Sequence, residues 1–134
     1  TTTEVAETID RLEEERVILH YAPTINWDKT DRERVEAMIE VNVTPQRDQG
    51  FDAIAQRIVQ YDEVKSLYLM SGAYDLMVLC EARTLKELAS FVHSRLSTIE
   101  GVTQTRSHFM LKPYKKDGII IEDKEQDRRL VMTP

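Results

Sequence analysis

The stretch most able to do chemistry is "LYLMSGAYDLMVLC", residues 67–80: two apolar runs joined by a small-residue turn, with Asp75 opening the second run. Aspartate is depleted from strands, and its charge is costly to bury without a partner. As a turn residue, Asp75 would accept a nearby backbone N–H, with Gly72 supplying a positive φ and Ser71 a common turn side chain. As a binding residue, the carboxylate would receive an ammonium, while the N–H groups of the Gly-containing turn receive a carboxylate. An α-amino acid presents both charges on one carbon. A third candidate partner is an arginine of a neighbouring subunit, such as Arg106, which would make Asp75 an assembly residue.

Other chemistry is poorly supported. His20, His93 and His108 are widely spaced and lack ligand-like neighbours, so neither a metal nor a cofactor is expected. No phosphate loop, nucleophile elbow or His-Glu metal helix is present. Cys80, the lone cysteine, lies in an apolar run and reads as a buried structural thiol. The net charge of −6 argues against a broadly basic surface, so any nucleic-acid contact must be local or lie outside this chain. The apolar runs fall far short of the ~20 residues that span a bilayer, and no signal pattern opens the chain. A cytoplasmic protein with no membrane partner is expected. The chain opens on "TTTEV", without a methionine and already in a helical pattern, which implies residues upstream.

The elements around Asp75 follow from periodicity. Val5, Ile9, Leu12 and the stem of Arg16 share a helical stripe, and Thr1 with Glu4 fits a capping box, giving a helix over 2–16. "VILHYAPTINW" reads as a strand limited by Pro23, and the charged "DKTDRER" as a connector. "VEAMIEVNV" alternates with period 2, "TPQRDQG" is a loop, and "FDAIAQRIVQY" has helical spacing at Phe51, Ile54, Ala55, Ile58 and Val59. After the two strands of 67–80, Thr84 and Glu87 form a second capping box on a helix with the stripe Leu85, Leu88, Ala89, Val92, Leu96 and Ile99. Gly101 ends it, and "VTQTRSHFML" is the last strand. The order strand, helix, strand, strand, helix, strand over 35–111 predicts an α+β fold, a ferredoxin-like βαββαβ sandwich with both helices on one face. Trp27 reads as a core residue, with a cap of the linker against the sheet as the alternative, and Tyr114, Lys115, Lys116 and Asp117 as a solvated turn.

The strands "LYLM" and "LMVLC" are apolar on both faces, and helices cover only one. The second face therefore calls for a partner, and a homodimer through packed sheets is favoured over the tail "GIIIEDKEQDRRLVMTP" folding back.

Three stretches together resemble the Lrp/AsnC family of transcription regulators: "VAETIDRLEEERVILHYAPTIN", "FDAIAQRIVQYDEV", and "LYLMSGAYDLMVLCEARTLKEL" with "LSTIEGVTQT" behind it. The resemblance covers about residues 3–112. It implies that 1–34 is a partial winged helix-turn-helix (recognition helix, wing strand) with its linker. Residues 35–118 would be the ligand-sensing and oligomerisation domain, and 119–134 a C-terminal tail. It further implies dimers assembling to octamers, and an effector site in which Gly72, Tyr74 and Asp75 receive a small molecule, an amino acid first among candidates, with Thr105 and Ser107 nearby. Thr1, Thr2, Thr3 and Thr8 are the candidate DNA contacts. Two departures stand out: Arg16 and His20 replace glycines usual beside the wing, so Arg16 is expected either in a strained helix end or in a slightly different cap. The helix itself is acidic, with Glu4, Glu7, Asp10, Glu13, Glu14 and Glu15 against Arg11 and Arg16. Phosphate contacts need cations. This chain alone is not expected to bind DNA specifically, whereas a parent with the complete winged helix is.

An amino-acid-responsive, DNA-binding transcriptional regulator, not an enzyme, is the resulting expectation. The alternative is a small dimeric ferredoxin-like enzyme acting on a small organic molecule. That needs a polar pocket between helices and sheet, and the helix stripes offer Leu, Ile, Val, Phe and Ala instead.

Overall fold

A computed structural model of the protein describes residues 1–44 and 50–121. The loop "TPQRDQG" therefore falls mostly outside the described residues, as does the tail beyond Ile121. Helix α1 spans Thr2–Glu14 and carries the predicted capping box: Thr1 Oγ1 accepts from Glu4 N–H, and the Glu4 side chain reaches back to the Thr1 backbone. Its C-terminus closes at Arg16, which takes the strained one of the two expected forms at φ 64°. Val17 N–H donates to Leu12 O at 2.9 Å and Arg16 N–H to Glu13 O at 3.1 Å, a Schellman closure with arginine in the place glycine prefers.

The strand expected over 17–27 is not formed. A strand exists only when paired, and β-branched propensity cannot supply the missing neighbour. A single 3₁₀ turn, Trp27–Lys29, follows instead. Trp27 is likewise not a core residue: it is half-buried, with the Arg34 guanidinium 4.2 Å over its ring.

From Val35 onward the expected order holds. Strands β1 (Val35–Val43), β2 (Val64–Leu69), β3 (Leu76–Ala82) and β4 (Val102–Phe109) form one antiparallel sheet in the order β2-β3-β1-β4. Helices α2 (Phe51–Ile58) and α3 (Leu85–Phe91) lie between β1 and β2 and between β3 and β4 in the chain. This is the α+β, ferredoxin-like βαββαβ sandwich. The alternation of β1 decides which face the helices cover: Ala37, Ile39, Val41 and Val43 are buried, with Glu36, Met38, Glu40 and Asn42 less so. Ile54 and Ile58 of α2 and Leu88 and Phe91 of α3 join them in one core with Leu76, Val78 and Cys80.

Helix α3 and the turn after it bury four residues of the predicted stripe, Leu88, Val92, Leu96 and Ile99. Leu85 and Ala89 are exposed, while Phe91, which the stripe omits, is buried. Val92–Leu96 forms a turn of π-helix closed by Ser97 N–H to Val92 O at 2.9 Å. Leu85 and Ala89 precede that turn, and Phe91 lies three residues on from Leu88, on the same side of the helix. The capping box at the start of α3 is shifted. Thr84 Oγ1 accepts from Glu87 N–H, but the Glu87 carboxylate takes the N–H of Arg83, not of Thr84.

"YKKDGII" is solvated and turns as expected, and the turn closes a small hairpin, β5 (Lys115–Lys116) paired with β6 (Ile119–Ile120). Asp117 and Gly118 at its tip have φ 49° and 80°, as a type I′ turn requires.

Cys80 is buried as expected, with 1% of its surface exposed. Burial, and then the nearby charge of Glu63, push its thiol up to about 12. Two results are expected. The thiol stays silent to aromatic disulfide reagents until the protein unfolds. Stability falls as pH rises from the ordinary thiol value of 9.0 towards about 12, because there the unfolded chain releases a proton that the native state keeps. Denaturant titrations between pH 8 and 11, against Cys80→Ala, isolate the effect.

Candidate functional site

The turn between β2 and β3 is placed by the ladder on either side. Leu69 pairs with Leu76, and Met70 N–H donates to Asp75 O at 2.8 Å, leaving residues 71–74 as the loop. Ser71, Gly72 and Ala73 are exposed, while Tyr74 and Asp75 are half-buried. Gly72 has φ 151°, and a Cβ there would meet nothing within 4 Å, so its need for glycine is conformational rather than steric.

Asp75 has a partner within the chain. The β1–β3 pairing ends at Val41–Leu76. One residue beyond, Asp75 N–H donates to Val41 O at 3.1 Å. The Asp75 carboxylate then supplies the acceptor that a continued β3 would have given: Val43 N–H donates to Oδ2 at 2.8 Å. The side chain thus caps the end of a strand pairing by taking a donor 32 residues upstream. The other oxygen, Oδ1, has no hydrogen-bond partner among the described residues.

The remaining predicted residues are distributed unevenly. Thr105 stands opposite Val41 and Ser107 opposite Ile39, both on β4. Strand β1 runs between them and Asp75, two strand spacings or about 9–10 Å across. Thr105 is level with the end of β1 that Asp75 caps, Ser107 is further along, and among the described residues no hydrogen bond joins either to the 71–75 loop. Both project from the helix-bearing face, since their β1 partners Val41 and Ile39 do. Arg106 opposes Glu40 on the other face. A cleft of about 670 Å³, bounded by Trp27, Arg32, Arg34, Lys65, Glu81 and Arg83 among others, lies at the far end of β3 and includes none of the predicted site residues.

On α1, Thr1 and Thr8 are engaged with their own helix. Thr1 Oγ1 holds the N-cap, and the Thr8 hydroxyl donates to Glu4 O at 2.8 Å. Thr2 and Thr3 are exposed and make no side-chain hydrogen bond among the described residues. The stripe of α1 is open as well, with Val5 and Ile9 exposed.

The sheet face away from the helices has an apolar centre and a charged surround. Met38 faces Leu79 across the β1–β3 pairing, and Met77 faces Glu40 on one side and Tyr68 on the other. His108 pairs with Glu40, and no described helix packs on this face. Sequence reasoning missed three groups: the Val43 N–H, the Arg34–Glu81 ion pair and the Thr24–Asp117 bond. Only the Asp-Gly tip of the hairpin carried a readable local signal.

The family description Lrp/AsnC ligand binding domain matches residues 36–120. The chain is 48% identical over 132 residues to an uncharacterised HTH-type transcriptional regulator, YugG, of Bacillus subtilis, covering 98% of this chain and 80% of that protein. It is 26% identical over 113 residues to the HTH-type transcriptional regulator LrpA of Pyrococcus horikoshii, covering 84% of this chain and 77% of that one. Among solved structures, it resembles a transcriptional regulator from Neisseria meningitidis in complex with L-Met, with a TM-score of 0.72 at 20% identity over 90% of this chain and 77% of that one. AsnC of E. coli superposes with a TM-score of 0.69 at 14% identity, over 87% of this chain and 76% of that one.

Proposed function

The chain belongs to the Lrp/AsnC family of HTH-type transcriptional regulators, and on that premise we propose that its 71–75 loop is the receptor for an α-amino acid. The observation carrying this is the half-used carboxylate of Asp75. Oδ2 is held in place by Val43 N–H, and Oδ1 remains for a ligand ammonium at the mouth of an exposed glycine turn. A carboxylate anchored through one oxygen is pre-organised to use the other, which lowers the ordering cost of binding. Tyr74 lines the loop, Gly72 lets its backbone donors approach the ligand carboxylate, and Thr105 and Ser107 contribute from β4. The similar N. meningitidis regulator was solved with L-Met, which makes that amino acid the first ligand to try.

The rest of the reading follows the chain. Residues 35–118 sense and oligomerise, 119–134 are a tail, and 1–34 are the part of a winged helix that this chain carries. DNA is bound by the complete winged helix, with Thr1, Thr2, Thr3 and Thr8 on the DNA side of α1. No step of catalysis is needed. The ligand acts by binding one arrangement of the assembly better than another.

Calorimetric titration of the protein with each of the twenty amino acids tests the receptor. Binding of one of them, lost on changing Asp75, supports it; silence from all twenty overturns it.

The apolar outer face supports a homodimer, with assembly to octamers beyond that. Met77→Glu is expected to convert the dimer to monomer at micromolar concentration. The substitution places a carboxylate opposite Glu40, its register partner, in the middle of the apolar patch. Sedimentation velocity reads the outcome directly.

A further inference from the structure

Glu36 and Glu81 are register partners on β1 and β3, so two carboxylates stand side by side on the outer face at the end of the sheet opposite Asp75. Like charges directly opposite weaken a sheet. Each glutamate is matched by a cation from outside the sheet. Arg34 forms an ion pair with Glu81, and Lys116 Nζ lies 3.4 Å from Glu36 Oε1. The two cations belong to segments that are also tied to each other, since the Thr24 hydroxyl donates to the Asp117 carboxylate at 2.9 Å. Arg34 does a second job. With Glu81 aiming it, its guanidinium is the platform on which the Trp27 ring sits, at 4.2 Å.

We propose that the Glu36–Glu81 carboxylate pair is a docking point that fixes residues 24–34 on the sheet. Residues 17–26 have no strand pairing of their own, so the segment is held to the sheet through these side-chain contacts. The dock is built to be releasable. Arg34 Nε is buried without a hydrogen-bond partner among the described residues, a cost set against its ion pair. The inference stands on charge and geometry here, independently of whether the 71–75 loop takes an amino acid.

The test uses the whole chain with Glu36→Gln and Glu81→Gln together. Both substitutions are isosteric and remove the repulsion together with both partly exposed ion pairs, so the denaturation midpoint is expected to change little. Trypsin cleavage after Lys29 and Arg32 is expected to accelerate about tenfold, because local opening governs it. Adding Trp27→Ala is expected to give no further acceleration, since the same clasp has already been broken. Nitroxides at Asp31→Cys and Glu100→Cys are expected to show a broadened distance distribution in the double variant. The surface-pair variant Arg95→Gln, which breaks the Arg95–Glu63 ion pair, is expected to leave it narrow. Unchanged cleavage with an unchanged distance distribution overturns the proposal. So does faster cleavage accompanied by a matching loss of global stability.

Discussion

Asp75→Asn is expected to leave the fold standing and to weaken amino-acid binding about a hundredfold, the worth of a charge-assisted contact of roughly 2.7 kcal/mol. Asparagine keeps a side-chain oxygen where Oδ2 accepts from Val43 N–H, so the end of the β1–β3 pairing stays capped. Only the negative charge facing the ligand ammonium is removed. Asp75→Ala behaves differently because it removes both functions. It leaves the half-buried Val43 N–H without its acceptor, at a cost of about 1–3 kcal/mol in stability. The pair of variants therefore separates the two roles that a single alanine substitution would confuse. The amino acid that binds the wild type is titrated into both, and denaturant midpoints are measured alongside. If the asparagine variant binds as tightly as the wild type, Asp75 is a strand cap and the ammonium lies elsewhere.

What the sequence made legible, and what it hid, divides along local and non-local physics. The alternation of β1 was readable because one face is buried and the side-chain period is 2. The capping box at Thr1 and the strained closure at Arg16 were readable because both are settled within one turn of helix. The stripe of α3 was readable at Leu88, Val92, Leu96 and Ile99, while the π turn at Val92–Leu96 left no mark in the spacing. The strand at 17–27 was over-read from its composition, since propensity says that a segment fits a sheet but not that a sheet is there. The same gap separates the two answers for Asp75. That it needed a partner followed from its charge among apolar neighbours. Which partner could not follow, because Val43 is 32 residues away and offers only a backbone N–H, the same group at every position of every strand. Trp27 was misjudged for a related reason. Its bulk pointed to the core, whereas a guanidinium from seven residues on took its face.

Gly101→Ala is expected to cost roughly 3 kcal/mol, about 1–2 from the backbone and 1–3 from overpacking. Gly101 does not directly cap the helix before it, which ends at Ser97, but opens β4. It sits at φ 98°, and a Cβ there would lie 2.7 Å from Ile54 Cδ1 and 3.2 Å from Thr44 O. Its carbonyl accepts from Thr44 N–H at 2.7 Å, so the glycine is wedged between α2 and the end of β1. Thr44 cannot yield easily because the β1–β4 register shifts at Asn42–Val43, where the Thr103 hydroxyl donates to Asn42 O at 3.1 Å. Val43, whose N–H holds Asp75, lies in that same stretch, so a shifted Gly101 turn is expected to disturb the loop site as well. Two comparisons make the account testable by chemical denaturation. Gly72→Ala, with positive φ but open space, is expected to cost only the backbone share of about 1–2 kcal/mol. Ile54→Val removes the very methyl that would clash. It is expected to cost about 0.5–1.5 kcal/mol alone and little or nothing in the Gly101→Ala background. If the two substitutions simply add, the wedge is not what makes glycine necessary here.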